Sequence, residues 1–129
     1  MAVKFGSEDQ AHIAVLDFLE RAIPGSLIWH TPNQGKRNVY YVQKLKLMGL
    51  LPGVPDLCFL PHWENKGRFP VYFIEMKAPK GGRLSAEQIE FRNAAINRGA
   101  AWGVARNIEE AEKLLIQWGF KLKARVKSI

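Results

Sequence analysis

The sequence has very little cysteine and no long apolar run. Cys58 is the single cysteine in 129 residues, which excludes an internal disulfide and a zinc site built only of cysteines. No apolar stretch is as long as a membrane-spanning helix, and the first residues lack the apolar core of a secretory signal. These absences predict a cytoplasmic protein without membrane association.

Acidic residues are missing from two segments. No Asp or Glu occurs between residues 21 and 55 or after residue 120, although both segments carry Lys and Arg. The whole chain has 19 basic and 12 acidic residues, for a net charge of +7. Such basic stretches suit a polyanionic partner, and they are equally typical of a solubilising surface. Charge alone does not decide between the two.

The pattern of apolar residues, turns and caps predicts helices alternating with strands. Expected helices cover residues 7–22 (with Ser7 as N-cap), 39–48, 85–98 (capped by Ser85) and 107–118; expected strands cover residues 27–30, 57–60, 71–77 and 101–105. The alternating segment 120–129 is interpreted as an edge strand or a basic tail. The order predicts one α/β domain over residues 1–129, with a mixed sheet flanked by helices.

Three charged residues are the strongest candidates for chemistry. Glu75 and Lys77 end an apolar strand two residues apart, so both side chains point to the same face. Asp56 follows a Gly-x-Pro turn and directly precedes an earlier apolar strand, residues 57–60. If the two strands pair, Asp56 and Glu75 form a carboxylate pair of the kind that holds Mg²⁺ for phosphodiester hydrolysis. Lys77 would then orient or deprotonate the attacking water, or stabilise charge in the transition state.

Two further residues carry both a structural and a functional interpretation. Glu8 lies seven residues before Val15, which places it on the core-facing stripe of the first helix; it also suits the positive end of the helix dipole. Gln88 lies three residues after Ser85, where it can serve simply as the partner of a capping box. The histidines His12, His30 and His62 show no paired spacing of metal ligands, and we therefore do not expect a zinc site.

Taken together, five motifs resemble the VRR-NUC (virus-type replication-repair nuclease) branch of the PD-(D/E)xK superfamily. They are His30-Thr-Pro-Asn-Gln-Gly-Lys-Arg37, Lys44-Leu-Lys-Leu-Met-Gly49, Gly53-Val-Pro-Asp-Leu57, Ile74-Glu-Met-Lys77 and Gly82-Arg-Leu-Ser-Ala-Glu-Gln88. The resemblance runs from Glu8 to the last helix and implies a restriction-endonuclease-like core.

The resemblance also implies a set of functional residues. The active site would comprise Glu8, Asp56, Glu75, Lys77 and Gln88, with the backbone carbonyl of Met76 as a further ligand of Mg²⁺ or Mn²⁺. Glu8 is preferred over Asp9 as the N-terminal acid, either at a second metal position or acting through water. DNA contacts are expected from Asn33, Lys36, Arg37, Lys44, Lys46, Lys80 and Arg83.

Small stand-alone members of the family resemble Holliday junction resolvases. By this resemblance we expect a homodimeric endonuclease of a bacterial or phage-infected cell that cuts four-way DNA junctions without a small-molecule cofactor. A nuclease for flaps, nicks or single-stranded DNA is the nearest alternative. A DNA-binding module that keeps the fold without catalysis is a second alternative, although a carboxylate pair would repel phosphate unless it held a metal.

Overall fold

Helices and strands alternate along the chain in the order expected from its sequence. A computed structural model describes residues 5–32 and 39–127. Its elements are α1 (Ser7–Ala22), β1 (Leu27–His30), α2 (Val39–Leu47), β2 (Leu57–Leu60), β3 (Tyr72–Met76), α3 (Ala86–Asn97), β4 (Ala101–Ala105) and α4 (Ile108–Gln117). A single 3-10 turn, Trp63–Asn65, lies in the connection between β2 and β3. None of the described helices combines the length and the apolar character that crossing a bilayer requires.

The four strands form one mixed sheet in the order β1-β2-β3-β4. The first three are antiparallel neighbours, and β4 runs parallel to β3. Leu57 pairs with Ile74, so the start of β2 lies beside the end of β3. The pairing that would bring Asp56 next to Glu75 is therefore present.

The two faces of the sheet are covered by different helices. Alternating residues of β2, β3 and β4 form the core with α1 and α4; they include Leu57, Phe59, Tyr72, Ile74 and Met76, all at most 1% exposed. The opposite face carries Glu75 and Phe73, and Phe73 meets Phe91 of α3 edge to face at 5.1 Å. Because strand residues alternate between faces, the acidic residue Glu75 faces α3 and not the core.

The caps of the helices differ in how well the sequence predicts them. The α3 capping box is confirmed, since the Ser85 hydroxyl accepts from the Gln88 N–H and Gln88 returns a bond to the Ser85 N–H. The prediction of Ser7 as N-cap is wrong: Gly6 occupies that position without a side-chain cap. Gln10 instead donates from its amide to the carbonyl of Phe5 at 2.9 Å. Gln10 therefore bonds to a residue that precedes the helix.

The segment after α4 forms no strand within its described residues, 120–127, so the edge-strand interpretation is wrong. It is a basic tail that is tied down along its length. Lys123 donates its N–H to the carbonyl of Ala22, and Arg125 forms an ion pair with Glu112 at 2.9 Å. Leu122 and Val126 pack against the core while the cations stay exposed. The alternation of apolar and cationic residues therefore reflects an anchored extended segment.

Candidate active site

The β2–β3 hairpin brings Asp56 and Glu75 together. Asp56 precedes β2 directly, and its Oδ2 accepts a hydrogen bond from the backbone N–H of Met76 at 2.8 Å. This bond fixes the Asp56 carboxylate against the end of β3, beside the residue that follows Glu75. The Asp56 carboxylate is also close enough to raise the pKa of Glu75.

Glu75 is a buried carboxyl group, only 4% exposed. Burial raises its pKa to about 8, and the nearby Asp56 carboxylate adds to this rise; Lys77 opposes both effects. In the metal-free protein Glu75 therefore keeps a proton at neutral pH. Two close carboxylates with one lysine are short of positive charge, which is the electrostatic condition that a divalent cation relieves.

Lys77 and Gln88 complete a connected polar group around Glu75. The Lys77 Nζ lies 3.9 Å from Glu75 Oε1 and donates to Gln88 Oε1 at 2.9 Å. Gln88 in turn donates from Nε2 to Glu75 Oε1 at 2.8 Å. Its Oε1 also accepts the capping bond from the Ser85 N–H. Gln88 thus caps α3 and contacts the acid and the base at the same time.

A glycine sets the distance between the Asp56 loop and α3. Gly53 has φ +80°, and a Cβ at this position would collide with the backbone carbonyl group of Glu87. The loop before Asp56 therefore packs directly on the first turn of α3, which carries Gln88. The absence of a side chain at residue 53 allows Asp56 and Gln88 to approach the same point.

The first helix contributes to a cavity of about 700 Å³ next to Asp56. Its lining includes Glu8, Asp9 and His12 from α1 together with His30 and Asp56. Glu8 is exposed, so the prediction that it faces the core is wrong, although its helix face does turn toward Asp56. Glu8 and Asp9 both oppose the lowering of the His12 pKa by burial, so both acids contribute negative charge to the cavity.

Two histidines next to Asp56 were missed by sequence reasoning. The rings of His12 and His30 meet edge to face at 4.6 Å, and His30 Nδ1 bonds the Asp56 carbonyl at 2.8 Å. Burial lowers the pKa of His12, and the neighbouring His30 adds to the effect. The lack of paired sequence spacing did not exclude this contact, because α1 and β1 bring the two rings together from 18 positions apart. The position of His12 one helical turn after Glu8 was the available signal.

The residues predicted to contact DNA divide into two groups. Asn33, Lys36 and Arg37 lie outside the described residues. Lys44 and Lys46 of α2, and Lys80 and Arg83 of the loop after Lys77, are exposed. Their contact with DNA stays a prediction. The Lys80–Arg83 loop joins Lys77 to α3, so its two cations follow the acid-base group closely in the chain.

The donor set fits a hard divalent cation. Asp56 and Glu75 offer carboxylate oxygens, and Met76, the residue between Glu75 and Lys77, offers a backbone carbonyl oxygen. Mg²⁺ and Mn²⁺ prefer such oxygen ligands and keep waters in their remaining positions. The assignment of Met76 and Glu8 as ligands stays a prediction.

The sequence and the fold both resemble known domains. The VRR-NUC domain family matches residues 12–107. A solved structure described as a VRR_NUC domain protein superposes with a TM-score of 0.67 at 22% identity, with 90% of each chain covered. Another, described as a VRR_NUC domain, gives 0.59 at 18% identity and covers 88% of this chain and 97% of its own. No curated protein matches. The expected restriction-endonuclease-like fold is confirmed.

Proposed function

The chain belongs to the VRR-NUC domain family, a family of nucleases, and we propose that it is a metal-dependent DNA endonuclease that resolves four-way junctions as a homodimer. The observation that carries the proposal is the connected group formed by Asp56, Glu75, Lys77 and Gln88. A binding module would gain nothing from a carboxylate pair that repels phosphate. The same pair is useful to an enzyme that binds a cation there.

The proposed cofactor is Mg²⁺ or Mn²⁺, held by Asp56, Glu75 and the Met76 carbonyl, with Glu8 reached through water or at a second position. When bound, such an ion polarises the scissile phosphate and supplies a reactive water. Neighbouring groups of the chain orient the two carboxylates that would hold the ion. The Met76 N–H holds the Asp56 carboxylate, and the Gln88 amide holds Glu75 Oε1.

Lys77 is proposed to act on the attacking water or on charge that develops at the phosphate. Gln88 Oε1 fixes its ammonium group at 2.9 Å, within 3.9 Å of Glu75. This hydrogen bond restrains the flexible side chain, so its charge stays at one place in the site. Substitution of Gln88 should therefore disturb Lys77 and Glu75 together.

Removal of either central carboxylate tests the mechanism. We expect Asp56→Asn and Glu75→Gln to lower Mg²⁺-dependent cleavage of a labelled junction about a hundredfold or more, since even outer partners of metal ligands cost ten- to hundredfold. DNA binding measured in EDTA should persist. The matched control is Glu109→Gln, an exposed acid of α4, which should cleave like the wild type. Full activity in both site variants would contradict the mechanism.

The preferred DNA is tested with a panel of junction, flap, nicked, duplex and single-stranded substrates. Symmetric paired cuts in the junction alone would support resolution, because paired cuts need two equivalent sites. Preferential cutting of flaps, nicks or single strands would instead support the nearest alternative. Binding without cutting of any substrate in Mg²⁺ or Mn²⁺ would support a non-catalytic module.

Exposed apolar residues support the proposed homodimer. Leu47, Met48 and Leu51, at the end of α2 and just after it, are 91%, 73% and 58% exposed. A monomer leaves these large side chains in water, whereas a dimer would cover such a patch. Light scattering of the purified chain should give twice the 14.6 kDa monomer mass. A monomer mass at the concentrations used for cleavage would remove the dimer from the proposal.

A further inference from the structure

A second group of potential metal ligands meets at Asp56. His12, His30 and Asp56 each offer one ligand atom, and these atoms lie within 4.8 Å of one another. They come from the middle of α1, the last residue of β1 and the residue before β2. His30 pairs with Leu57, which places its side chain on the α1 side of the sheet, while Glu75 faces α3. The histidines thus approach Asp56 from the opposite side to Glu75.

The hydrogen bond of His30 to the Asp56 carbonyl determines which of its ring nitrogens is free to bind a metal. A backbone carbonyl can only accept a hydrogen bond, so the 2.8 Å contact between His30 Nδ1 and the Asp56 carbonyl places the proton of a neutral ring on Nδ1. The free lone pair then lies on Nε2. Histidines that bind metals commonly donate their other ring nitrogen to a carbonyl or carboxylate in this way. The same carbonyl also accepts from the Thr31 N–H at 2.9 Å, which fixes it in place.

The group needs only a small closure to hold an ion. In a tetrahedral site with bonds of about 2.1 Å, two ligand atoms lie about 3.4 Å apart. Side-chain rotation of His12 or His30 can provide the difference from 4.8 Å, because both rings border a cavity of about 700 Å³. The cavity also leaves space for water ligands. Glu8 and Asp9 line it as well, and their charges favour a cation.

We propose that His12, His30 and Asp56 form a second metal site, which prefers a transition ion such as Zn²⁺ over Mg²⁺. Imidazole suits Zn²⁺ and related ions, whereas Mg²⁺ prefers oxygen ligands, so the two imidazoles set the selectivity. Two histidines and one carboxylate with water in the open position are a common set of ligands for an accessible zinc ion. The site shares Asp56 with the proposed nuclease centre but does not depend on cleavage.

The test measures Zn²⁺ binding by calorimetry in a Glu75→Gln background, because this change disables the neighbouring carboxylate pair. We expect Glu75→Gln to bind one Zn²⁺, and the added change His12→Ala or His30→Ala to weaken binding at least about tenfold. The matched control is Glu75→Gln with His62→Asn. His62 accepts a bond from the Glu64 N–H in the β2–β3 connection, and asparagine keeps an acceptor there.

Equal Zn²⁺ affinity in all four proteins would overturn the proposal, as would an equal loss in the His62 variant. Cleavage by the wild type in Mg²⁺ is measured in parallel. An inactive wild type that binds Zn²⁺ through His12 and His30 would contradict only the nuclease proposal. An active wild type whose Zn²⁺ binding ignores both histidines would contradict only the second site.

A measurement on the unmodified chain covers the case in which an alanine variant does not fold. In ¹⁵N-histidine-labelled wild-type protein, Zn²⁺ should shift the ring nitrogen signals of His12 and His30 and leave those of His62 in place. Unchanged His12 and His30 signals at saturating Zn²⁺ would overturn the site.

Discussion

Glu75 links the chemistry of the site to the stability of the metal-free protein. Its pKa is raised from 4.5 to about 8, chiefly by burial and next by Asp56. Between these two values the native protein keeps a proton that the unfolded chain has released. The native state therefore binds more protons, and its stability falls as the pH rises through this range. The metal-free protein is therefore less stable when Glu75 is ionised, and the ionised carboxylate is the form that would bind the proposed metal.

We expect the free energy of unfolding of wild-type protein in EDTA to fall by about 1 kcal/mol between pH 7 and 8 from this group alone. Glu75→Gln should remove most of that slope, because the amide has no proton to lose. The lowered pKa of His12 acts in the opposite direction, but only below its ordinary value of 6.5. Urea unfolding at pH 7.0, 7.5 and 8.0 measures the slope.

The control for this experiment is Glu90→Gln, an exposed acid on α3 that should keep the wild-type dependence on pH. An identical slope in wild type and Glu75→Gln would show that Glu75 is ionised in the native state well below pH 8. The pair would then already be compensated without a metal.

The position of a functional residue was predictable where a charged side chain interrupts a clear local pattern. Glu75 and Lys77 stand out because an apolar strand ends on two charges, and their common face follows from the strand period. For His12 and His30 the only local signal is the spacing of His12 from Glu8, since the contact of the two rings depends on how α1 crosses the sheet. The exposure of Glu8 was also missed, because helical periodicity gives direction but not the depth of burial.

At the scale of elements, the contact between the Asp56 loop and α3 determines the geometry of the site. Gly53 and Gly49 both have positive φ, at +80° and +105°. A Cβ on Gly53 meets the backbone of Glu87 and Gln88, whereas a Cβ on Gly49 meets nothing within 4 Å. Substitution of Gly49 therefore tests the strain of a positive φ alone, whereas substitution of Gly53 adds a steric collision.

We expect Gly49→Ala to destabilise the protein by about 1–2 kcal/mol through its left-handed backbone alone. Gly53→Ala should cost about 1–3 kcal/mol more, because the added methyl group must push the loop off α3. It should also reduce cleavage, since the loop carries Asp56 and the helix carries Gln88. Thermal unfolding and cleavage of both variants test this; equal destabilisation would exclude the collision.

Strands and helices were largely predictable because Pro and Gly residues that end such elements are frequent in this chain. Pro24-Gly25, Gly49, Pro61 and Gly99 each fall at or next to an expected boundary, and the Ser85 capping box forms in full. The two failures are one local cap and one contact between segments distant in the sequence. Ser7 does not cap α1, and the tail follows α1 and α4 through Lys123 and Glu112 and so forms no strand.

For the molecule as a whole, positive charge is the feature that relates fold to partner. The net charge is +7, while the proposed centre is a pair of acids. Cations must therefore bring DNA to a site that itself repels phosphate. Lys80 and Arg83 are exposed on the loop that joins Lys77 to α3, and we expect them to neutralise phosphates next to the acids.

We expect the double change Lys80→Ala with Arg83→Ala to weaken DNA binding in EDTA and to reduce the slope of log affinity against log salt by about 2, since each phosphate contact contributes about 0.9. The matched control removes two exposed cations on the α4 side, Lys113→Ala with Lys121→Ala, and should leave the slope near that of the wild type. Fluorescence anisotropy over a salt series measures both. Equal reductions in the two double variants would mean that net charge, and not this loop, brings DNA to the site.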